Sequence, residues 1–513
     1  MPLVQEQHDM LDEEITMEEL IKSLKKSKCG KAPGMDNISN DFLKELPENW
    51  LYYIQVFFNK IIQTEIIPDD WAQVVMFMLH KKGDSSDPDN YRSIALINSI
   101  AKVFTNILHD RLRQWAENNK LTSEEQAGLC TGKGCADNVF LLQTIIQMQL
   151  RFPDITAYIL FIDLRKAFDK HKLIRILINF YSKSRMHIRK DHHLSDPIDI
   201  TEGVLQGDIL SPLLFILLIA DIIKFFENRD VEGLNLNNLR QILMLLYADD
   251  IAALSHSASS LKAALKVLEE YCDTNGLEVN ISKTKIMACR TSGRIKKKDK
   301  GFQFKGKSIE VVKTYTYLGV AFSSNLQGDI AATEASKRGK QAIGSTYSIL
   351  SRLRAETWLS KKKLHDSMIK TTLLYLVHIW GLRKEILDNL EAPHLLYFKR
   401  IFHLPVCTPH YFLRLELDIP HISLEVLKYA YNWVIKILEM REDRLPKLGL
   451  TRLIQPSANY KSQNLNWTLQ VKSLLSLIGE EQMFEDMNAT HWKVARRLAP
   501  NIPDKRLFPH NNN

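Results

Sequence analysis

The sequence predicts an α+β fold in which a core of mixed strands and helices lies between two helical regions. Two observations carry this prediction. Short apolar runs that suit buried strands alternate with helical patterns up to about residue 325, and helical patterns follow from Ala331 onward. Apolar residues make up 45% of the 513-residue chain and charged residues 25%, which is typical of a globular protein with a large core.

Composition and charge indicate what the chain could bind and in which compartment it is expected. Its net charge of +8 permits nucleic-acid binding without requiring it. Six irregularly placed cysteines favour a reducing compartment over a disulfide framework. The polar start of the chain does not resemble a secretory signal, and the longest apolar stretch, Leu213–Ala220, is too short to span a bilayer. We therefore expect an intracellular protein without a membrane partner, in either the nucleus or the cytoplasm.

Helices are predicted from capping signals and apolar spacing. Thr16 and Glu19 form a capping-box pattern at the start of a helix that runs to Lys26. After Ala331 we expect breaks at Pro393, Pro405, Pro409 and Pro420. Further helices are predicted over Asp41–Ile67, Ser99–Asn118, Asp137–Arg151, Ile209–Phe226 and Leu261–Cys272.

Strands are predicted where short apolar runs end at polar residues. The runs are Val74–Leu79, Ala157–Ile162, Gln241–Leu246 and Ile251–Leu254, of which Ala157–Ile162 and Gln241–Leu246 suit strands covered on both faces. Two more short strands are expected around Lys305-Gly306-Lys307, inside a basic stretch from Arg294 to Lys307. Such a stretch suits either backbone phosphates or a solvated hairpin.

Three acidic residues follow the apolar strands of the predicted core. Asp163 ends one strand, while Asp249 and Asp250 occupy a tight turn between two others. If these strands are neighbours, the three carboxylates meet at one rim, where divalent cations would relieve their repulsion. A pair of such ions would suit phosphoryl transfer. The ordinary alternative is that Asp-Asp is simply common in turns.

Eight motifs stand in one order along the chain. They are GKAPGMDNIS (30–39), HKKGDSSDPDNYRSIAL (80–96), EEQAGLCTGKGCADN (124–138), FIDLRKAFD (161–169), GVLQGDILSP (203–212), YADD (247–250), GLEVNISKTKIM (276–287) and YTYLGV (315–320). In this order the motifs resemble those of the reverse transcriptases of non-LTR (LINE-type) retrotransposons, and the resemblance covers roughly Thr16–Asn325.

The resemblance implies the right-hand polymerase architecture. Fingers would occupy residues 1–155, and a palm with an antiparallel sheet backed by helices would occupy residues 156–325. A helical thumb and connection would follow over residues 326–455, and a weakly patterned C-terminal tail over residues 456–513.

The resemblance also implies RNA-directed DNA synthesis. The expected cofactor is Mg²⁺, with Mn²⁺ possible, and the expected partners are an RNA template, a DNA primer and dNTPs. Asp163, Asp249 and Asp250 would bind the metal ions, and Lys283 would act near the leaving pyrophosphate. Lys285 lies two positions further on and leaves the choice of lysine open.

Further residues match the nucleotide-binding and primer-grip positions of the family. The nucleotide-binding candidates are Lys81, Lys82, Arg92, Phe168, Gln206 and Gly207, and the primer-grip candidates are Tyr317, Leu318 and Gly319. Without a functional role, the lysines would lie in a solvated charged loop, the phenylalanine would be a core residue, and the primer-grip residues would form an ordinary strand.

The sequence departs from the family pattern between Asp169 and Gly203. This stretch is shorter by a helix that normally backs the palm, so we expect exposed apolar surface behind the catalytic strands. The few residues ahead of the first helix would not hold the endonuclease domain that relatives carry. A catalytically impaired, truncated element copy that retains only nucleic-acid binding is therefore an alternative, and an RNA-processing cofactor is another.

Overall fold

The computed structural model describes most of the chain. The described residues are 11, 13–81, 84–87, 90–152, 154–165, 183, 185–190, 193–199, 209–237, 240–353, 357–455, 466–476, 478–485 and 487–498. The predicted shortening between Asp169 and Gly203 lies largely outside these residues, as does part of the tail, mainly residues 456–465 and 499–513.

Helices occupy both ends of the described chain and alternate with strands in between. In chain order they are α1 Met17–Lys26, α2 Asn40–Lys44, α3 Glu48–Thr64, α4 Ser99–Asn118, α5 Cys135–Leu150, α6 Leu210–Leu218, α7 Ile222–Glu227, α8 Ala258–Asn275, α9 Asp329–Leu353, α10 Trp358–Leu364, α11 Thr371–Leu373, α12 Val377–Trp380, α13 Lys384–Ile401, α14 His410–Leu417, α15 Ile422–Leu438, α16 Leu445–Ile454, α17 Trp467–Ser476 and α18 Ala489–Leu498.

The strands lie between residues 73 and 323. They are β1 Gln73–His80, β2 Tyr91–Leu96, β3 Ala157–Arg165, β4 Arg185–Lys190, β5 His193–Leu194, β6 Ile198–Asp199, β7 Leu234–Asn237, β8 Arg240–Ile242, β9 Met244–Tyr247, β10 Asp250–Ser255, β11 Glu278–Val279, β12 Lys285–Cys289, β13 Gln303–Phe304, β14 Lys307–Ser308, β15 Glu310–Val312, β16 Thr314–Tyr317 and β17 Val320–Ser323.

The chain forms two compact units, each built from separate stretches. Unit 1 comprises Met1–Ser123, Leu164–Phe225 and Glu270–Val279, and unit 2 comprises Glu124–Asp163, Phe226–Glu269 and Asn280–Asn513. The division into fingers, palm, thumb and tail stays a prediction.

Unit 1 combines helices with a sheet in the order β2-β1-β4-β5, in which β6 also pairs with β4. Its core packs side chains of α1, α3 and α4 against β1 and α6, and the rings of Phe58, Trp71 and Phe104 contact one another. The predicted capping box is present, because the Thr16 hydroxyl accepts from the Glu19 N–H and the Glu19 carboxylate accepts from the Thr16 N–H.

Unit 2 contains a central sheet in the order β15-β12-β3-β10-β9, in which the pairs from β12 to β9 are antiparallel and β15 joins β12 in parallel. Each residue from Ala157 to Ile162 is at most 3% exposed, which confirms the prediction of a strand covered on both faces. Helices supply much of the surrounding core, including Phe140 of α5 packed on Trp433 and Trp467. The α+β class is thereby confirmed.

Pro393 corrects one sequence prediction. We expected a helix break there, but Pro393 lies inside α13 and is buried. A proline in a helix removes the hydrogen bond to the carbonyl four residues earlier, here that of Asn389. The Ser336 hydroxyl lies 3.4 Å from this carbonyl oxygen and donates to it, so the helix continues. Pro405, Pro409 and Pro420 lie between helices, as predicted.

Three smaller differences concern element boundaries. The predicted helix Asp41–Ile67 is divided into α2 and α3, the predicted helix Ile209–Phe226 into α6 and α7, and the predicted strand Gln241–Leu246 into β8 and β9. Among the described residues, no helix is long and apolar enough to cross a bilayer.

Arg111 joins α4 to the chain ahead of α1, and its loss should destabilise unit 1. Its guanidinium donates to both Glu19 carboxylate oxygens at 2.7 Å and to the carbonyls of Glu13 and Glu14. Arg111→Met leaves these acceptors without a buried donor, so we expect a loss of about 2–3 kcal/mol in the free energy of unfolding. Chemical denaturation would measure it. Arg113→Met, which removes an exposed pair with Glu117, should cost less than about 0.5 kcal/mol, and equal losses would contradict the prediction.

Asp299 should make the stability of unit 2 depend on pH in the acid range. Burial alone would raise the pKa of Asp299, but hydrogen bonds from Arg290, the Lys296 N–H and the Tyr158 hydroxyl outweigh it and lower that pKa from 3.8 to about 2. The charged carboxylate therefore stabilises the fold above about pH 4, and this contribution is lost as the pH falls towards 2.

The stabilising contribution of Asp299 can be isolated with Asp299→Asn. The stability difference between the parent and this variant should shrink between pH 6 and pH 2.5 by at most roughly 2 kcal/mol, measured by chemical denaturation at each pH. Asp443→Asn, at an exposed position, provides the control. A parent–variant difference that is the same at both pH values would count against the predicted pKa.

Candidate active site

The pairing of β3 with β10 places two of the predicted carboxylates together. The strands are antiparallel, and Asp163 is the register partner of Asp250. Residues directly opposite in an antiparallel pair project from the same face of the sheet. The two strands are therefore neighbours, as the site prediction required, and Asp163 and Asp250 lie side by side.

A two-residue turn joins β9 to β10 and carries Asp249. Tyr247 pairs with Asp250, so Ala248 and Asp249 form the turn, and Ala248 has a φ of +52°. This left-handed conformation is accessible to glycine but energetically unfavourable for alanine. Tyr247 is hydrogen-bonded with the Cys135 thiol, and this bond, together with partial burial, raises the pKa of Tyr247 to about 12.

Asp163, Asp249 and Asp250 form an acidic cluster in which the negative charges repel one another. Partial burial against the sheet, followed by the negative charges of Asp249 and Asp163, raises the pKa of Asp250 from 3.8 to about 6. The Lys283 ammonium lies 3.6 Å from a carboxylate oxygen of Asp163 and is largely exposed. Lys285 instead donates to Glu310 at 2.8 Å. Of the two candidate lysines, Lys283 is therefore the one placed beside the carboxylates.

Neighbouring segments fix the backbone and the packing around Asp163. The Asp163 N–H donates to the buried Thr284 hydroxyl at 3.3 Å, and its carbonyl accepts from the Asn280 N–H at 2.9 Å. Behind the cluster, Tyr315 stacks on Phe161 with ring centroids 4.0 Å apart. Burial, and then the charges of Asp250 and Asp163, raises the pKa of Tyr315 to about 12. Sequence reasoning did not single out Thr284 or Tyr315.

The predicted primer-grip residues form a β-hairpin. Tyr317 ends β16, and Leu318 and Gly319 form its turn with φ of +46° and +81°, as a tight two-residue hairpin turn requires. The Tyr375 hydroxyl donates to the Leu318 carbonyl at 3.1 Å, and Arg338 donates to the Gly319 carbonyl at 3.2 Å. The turn is thus held by side chains from the helical region, which the sequence did not indicate.

Tyr317 itself is buried, at 2% exposure, and its hydroxyl lies 3.5 Å from the Asn138 amide nitrogen. Its side chain therefore supports the hairpin from inside. In the turn, Leu318 is partly buried and Gly319 is exposed.

The donor set of the acidic cluster suits a hard divalent cation. Within the described ranges, no group of three His, Cys, Asp or Glu side chains has the arrangement of a metal centre. Burial, and then the charges of Asp249 and Asp163, raise the pKa of Asp250, and a bound cation would relieve the repulsion between these carboxylates. Carboxylate oxygens are also the ligands that Mg²⁺ prefers.

The nucleotide-binding candidates that can be located belong to unit 1. Lys81 follows β1, is exposed, and donates its backbone N–H to the Asn90 carbonyl at 2.8 Å. Arg92 lies in β2, opposite Leu79 of β1. Four candidates lie outside the described residues, namely Lys82, Phe168, Gln206 and Gly207.

The basic stretch contains the predicted pair of short strands. β13 and β14 are joined by Lys305 and Gly306, both with positive φ, in a second tight hairpin. Glu269 accepts from the Lys305 N–H and ties this hairpin to α8. The structure confirms the hairpin, while its binding of phosphates stays a prediction.

Comparison with known proteins places this geometry in a family. Residues 79–322 match the family described as reverse transcriptase (RNA-dependent DNA polymerase). The probable RNA-directed DNA polymerase from transposon BS of Drosophila melanogaster is 26% identical over 392 residues, which is 72% of this chain and 42% of that protein. The RNA-directed DNA polymerase from the mobile element jockey of the same species is 22% identical, over 86% of this chain and 50% of that protein.

A retrovirus-related Pol polyprotein from the type-1 retrotransposable element R2 of Nasonia vitripennis is 26% identical, over 55% of this chain and 30% of that protein. Among solved structures, an apo telomerase from Candida tropicalis aligns with 56% of this chain and 61% of that chain, at 14% identity and a TM-score of 0.32. The chain spans about half the length, or less, of the curated relatives it matches. From the family match, residues 79–322 belong to the reverse transcriptase family, and the similar curated proteins are polymerases of non-LTR-type retrotransposons.

Proposed function

We propose that the chain is an RNA-directed DNA polymerase that extends a DNA primer along an RNA template inside the cell. The observation that carries the proposal is the pairing of Asp163 with Asp250 beside the turn that bears Asp249, within the segment that matches the reverse transcriptase family. The primer 3′-hydroxyl would attack the α-phosphorus of a dNTP, the bond to the bridging oxygen would break, and pyrophosphate would leave.

Asp163, Asp249 and Asp250 would hold the divalent ions of this reaction. Mg²⁺, or Mn²⁺ in its place, would supply charge stabilisation for the attacking and leaving oxygens. The protein would contribute three carboxylates on a rigid sheet edge, so that the reacting groups meet an arrangement that is already formed.

Lys283 would stabilise or protonate the leaving pyrophosphate. Its ammonium lies beside Asp163 and is exposed, so it can reach a phosphate bound at the acidic cluster. A lysine can serve either as a point charge or as a proton donor. Lys285, which is paired with Glu310, would have no such role.

The remaining roles are proposed from the family motifs. Lys81, Lys82 and Arg92 would bind the triphosphate, and Phe168 would exclude a 2′-hydroxyl group. Gln206 and Gly207 would lie against the template base and the incoming nucleotide. Leu318 and Gly319, held by Tyr375 and Arg338, would present the hairpin turn to the primer end.

Replacing the turn acids should abolish synthesis. In Asp249→Ala, Asp250→Ala, nucleotide incorporation on a primed RNA template with Mg²⁺ should fall by at least about 10³-fold, because several kcal/mol of charge stabilisation are lost. The control is Glu442→Ala, Asp443→Ala, which removes two exposed acids from the helical region. Full activity of the turn variant would refute the assigned roles. A folded parent that binds the primed template but adds no nucleotide would favour the impaired-copy alternative.

Replacing Lys283 should slow the reaction without weakening template binding. Lys283→Ala is expected to lower kcat by about 10²-fold, the usual scale of a general acid or its charge equivalent. Lys285→Ala provides a matched control two positions away and should change kcat by less than about twofold. Steady-state kinetics with varied dNTP would test both variants, and the reverse order of effects would transfer the role to Lys285.

A further inference from the structure

The turn that carries Asp249 rests against a segment outside the named strands. The stretch from Glu125 to Gly128 runs parallel to β9, with a bridge between Gln126 and Leu246. The Leu246 N–H donates to the Glu125 carbonyl at 3.0 Å, and the Ala127 N–H donates to the Leu246 carbonyl at 2.9 Å. This segment therefore extends the sheet beyond β9, immediately before the turn.

The Gln126 side chain reaches from this segment into the turn itself. Its Oε1 atom accepts from the Ala248 N–H at 3.1 Å and from the Gly128 N–H at 2.8 Å, and Gln126 is only 2% exposed. Its Nε2 atom has no hydrogen-bond partner among the described residues. Since both neighbours are backbone donors, the oxygen of the amide has to face them.

The bond to Ala248 falls on the strained residue of the turn. Ala248 holds a φ of +52°, which an alanine adopts only where its surroundings favour it. Because Ala248 lies between Tyr247 and Asp249, rotation of its backbone would redirect the Asp249 carboxylate. The Gln126 oxygen therefore acts at a backbone position that affects where this acid points.

Gly128 permits the close approach that this contact needs. A Cβ atom at position 128 would lie 2.3 Å from the Ala248 backbone nitrogen and 2.9 Å from the Tyr247 carbonyl carbon. No side chain fits at that distance, so only glycine allows the segment to pass under the turn. The glycine and the glutamine serve the same contact.

We propose that Gln126 is a positioning residue of the polymerase, which holds Ala248 in its left-handed conformation and thereby fixes the Asp249 carboxylate for catalysis. The proposal rests on the proposed function. It assigns no contact between Gln126 and substrate. It predicts that Gln126 affects the rate of the chemical step more than it affects substrate binding or the stability of unit 2.

Gln147 provides a matched control for this role. It is a fully buried glutamine of α5 whose Oε1 atom also accepts a backbone N–H, that of Trp467 at 3.1 Å, and whose Nε2 atom also has no partner among the described residues. Gln126→Met and Gln147→Met therefore make the same chemical change in similar burial. They differ in that the acceptor is lost at the acidic turn in one variant and in the helical core in the other.

The first experiment compares the two methionine variants with the parent. Nucleotide incorporation on a primed RNA template gives kcat and the KM values, thermal unfolding gives stability, and hydrogen–deuterium exchange reports on a peptide that covers residues 244–250. We expect Gln126→Met to lower kcat by about 10²-fold with KM values within about twofold, because a small misplacement of a reacting group is costly. Exchange at the turn should rise about tenfold in Gln126→Met and remain unchanged in Gln147→Met.

Gln126→Glu keeps the experiment decisive if Gln126→Met does not fold. Its carboxylate retains an acceptor for the two backbone N–H groups, so exchange at the turn should stay at the level of the parent. Equal kcat values in Gln126→Met and Gln147→Met would overturn the proposal, as would fast exchange at the turn in a folded Gln126→Glu. An inactive parent would instead count against the proposed function, and the exchange measurement would still test the contact with Ala248.

Discussion

The register between β3 and β10 is the constraint on which the candidate site depends. Ile162 pairs with Ile251 and Phe161 with Ala252, so the buried apolar residues of both strands determine how Asp163 meets Asp250. A slip of one residue would place Asp163 opposite Ile251 and leave the two acids on opposite faces of the sheet. The packed sheet therefore determines the position of groups that repel each other and would not come together by themselves.

This arrangement carries an energetic cost that the surrounding structure offsets. The raised pKa of Asp250 means that its charged form is less favourable in the folded chain than in water, while Ala248 is held in a conformation that alanine avoids. Hydrogen bonds from separate segments compensate on either side, through Thr284 at Asp163 and through Gln126 at Ala248. Strain at the acidic cluster is thus supported by well-packed neighbours, as is common at functional sites.

The sequence predicted the strongly patterned parts of the molecule. Apolar runs next to acids identified β3, β9 and β10, because burial on both faces leaves a signal in a few consecutive residues. Pro393 was misjudged because the serine that compensates for it belongs to another helix. Gln126 was missed for the same reason, since its contact with Ala248 joins residues 122 positions apart. The sequence pattern around a residue does not indicate which distant residues will contact it in the fold.

The order of the units along the chain affects how the protein can be made. The chain changes from one unit to the other five times, at residues 123/124, 163/164, 225/226, 269/270 and 279/280. Unit 1 is therefore incomplete until residue 279 has left the ribosome, by which time two of the three stretches of unit 2 have already been synthesised. Unit 1 therefore cannot finish folding before the synthesis of unit 2 has begun, and its first two stretches have to wait for their last partner while segments of unit 2 emerge between them.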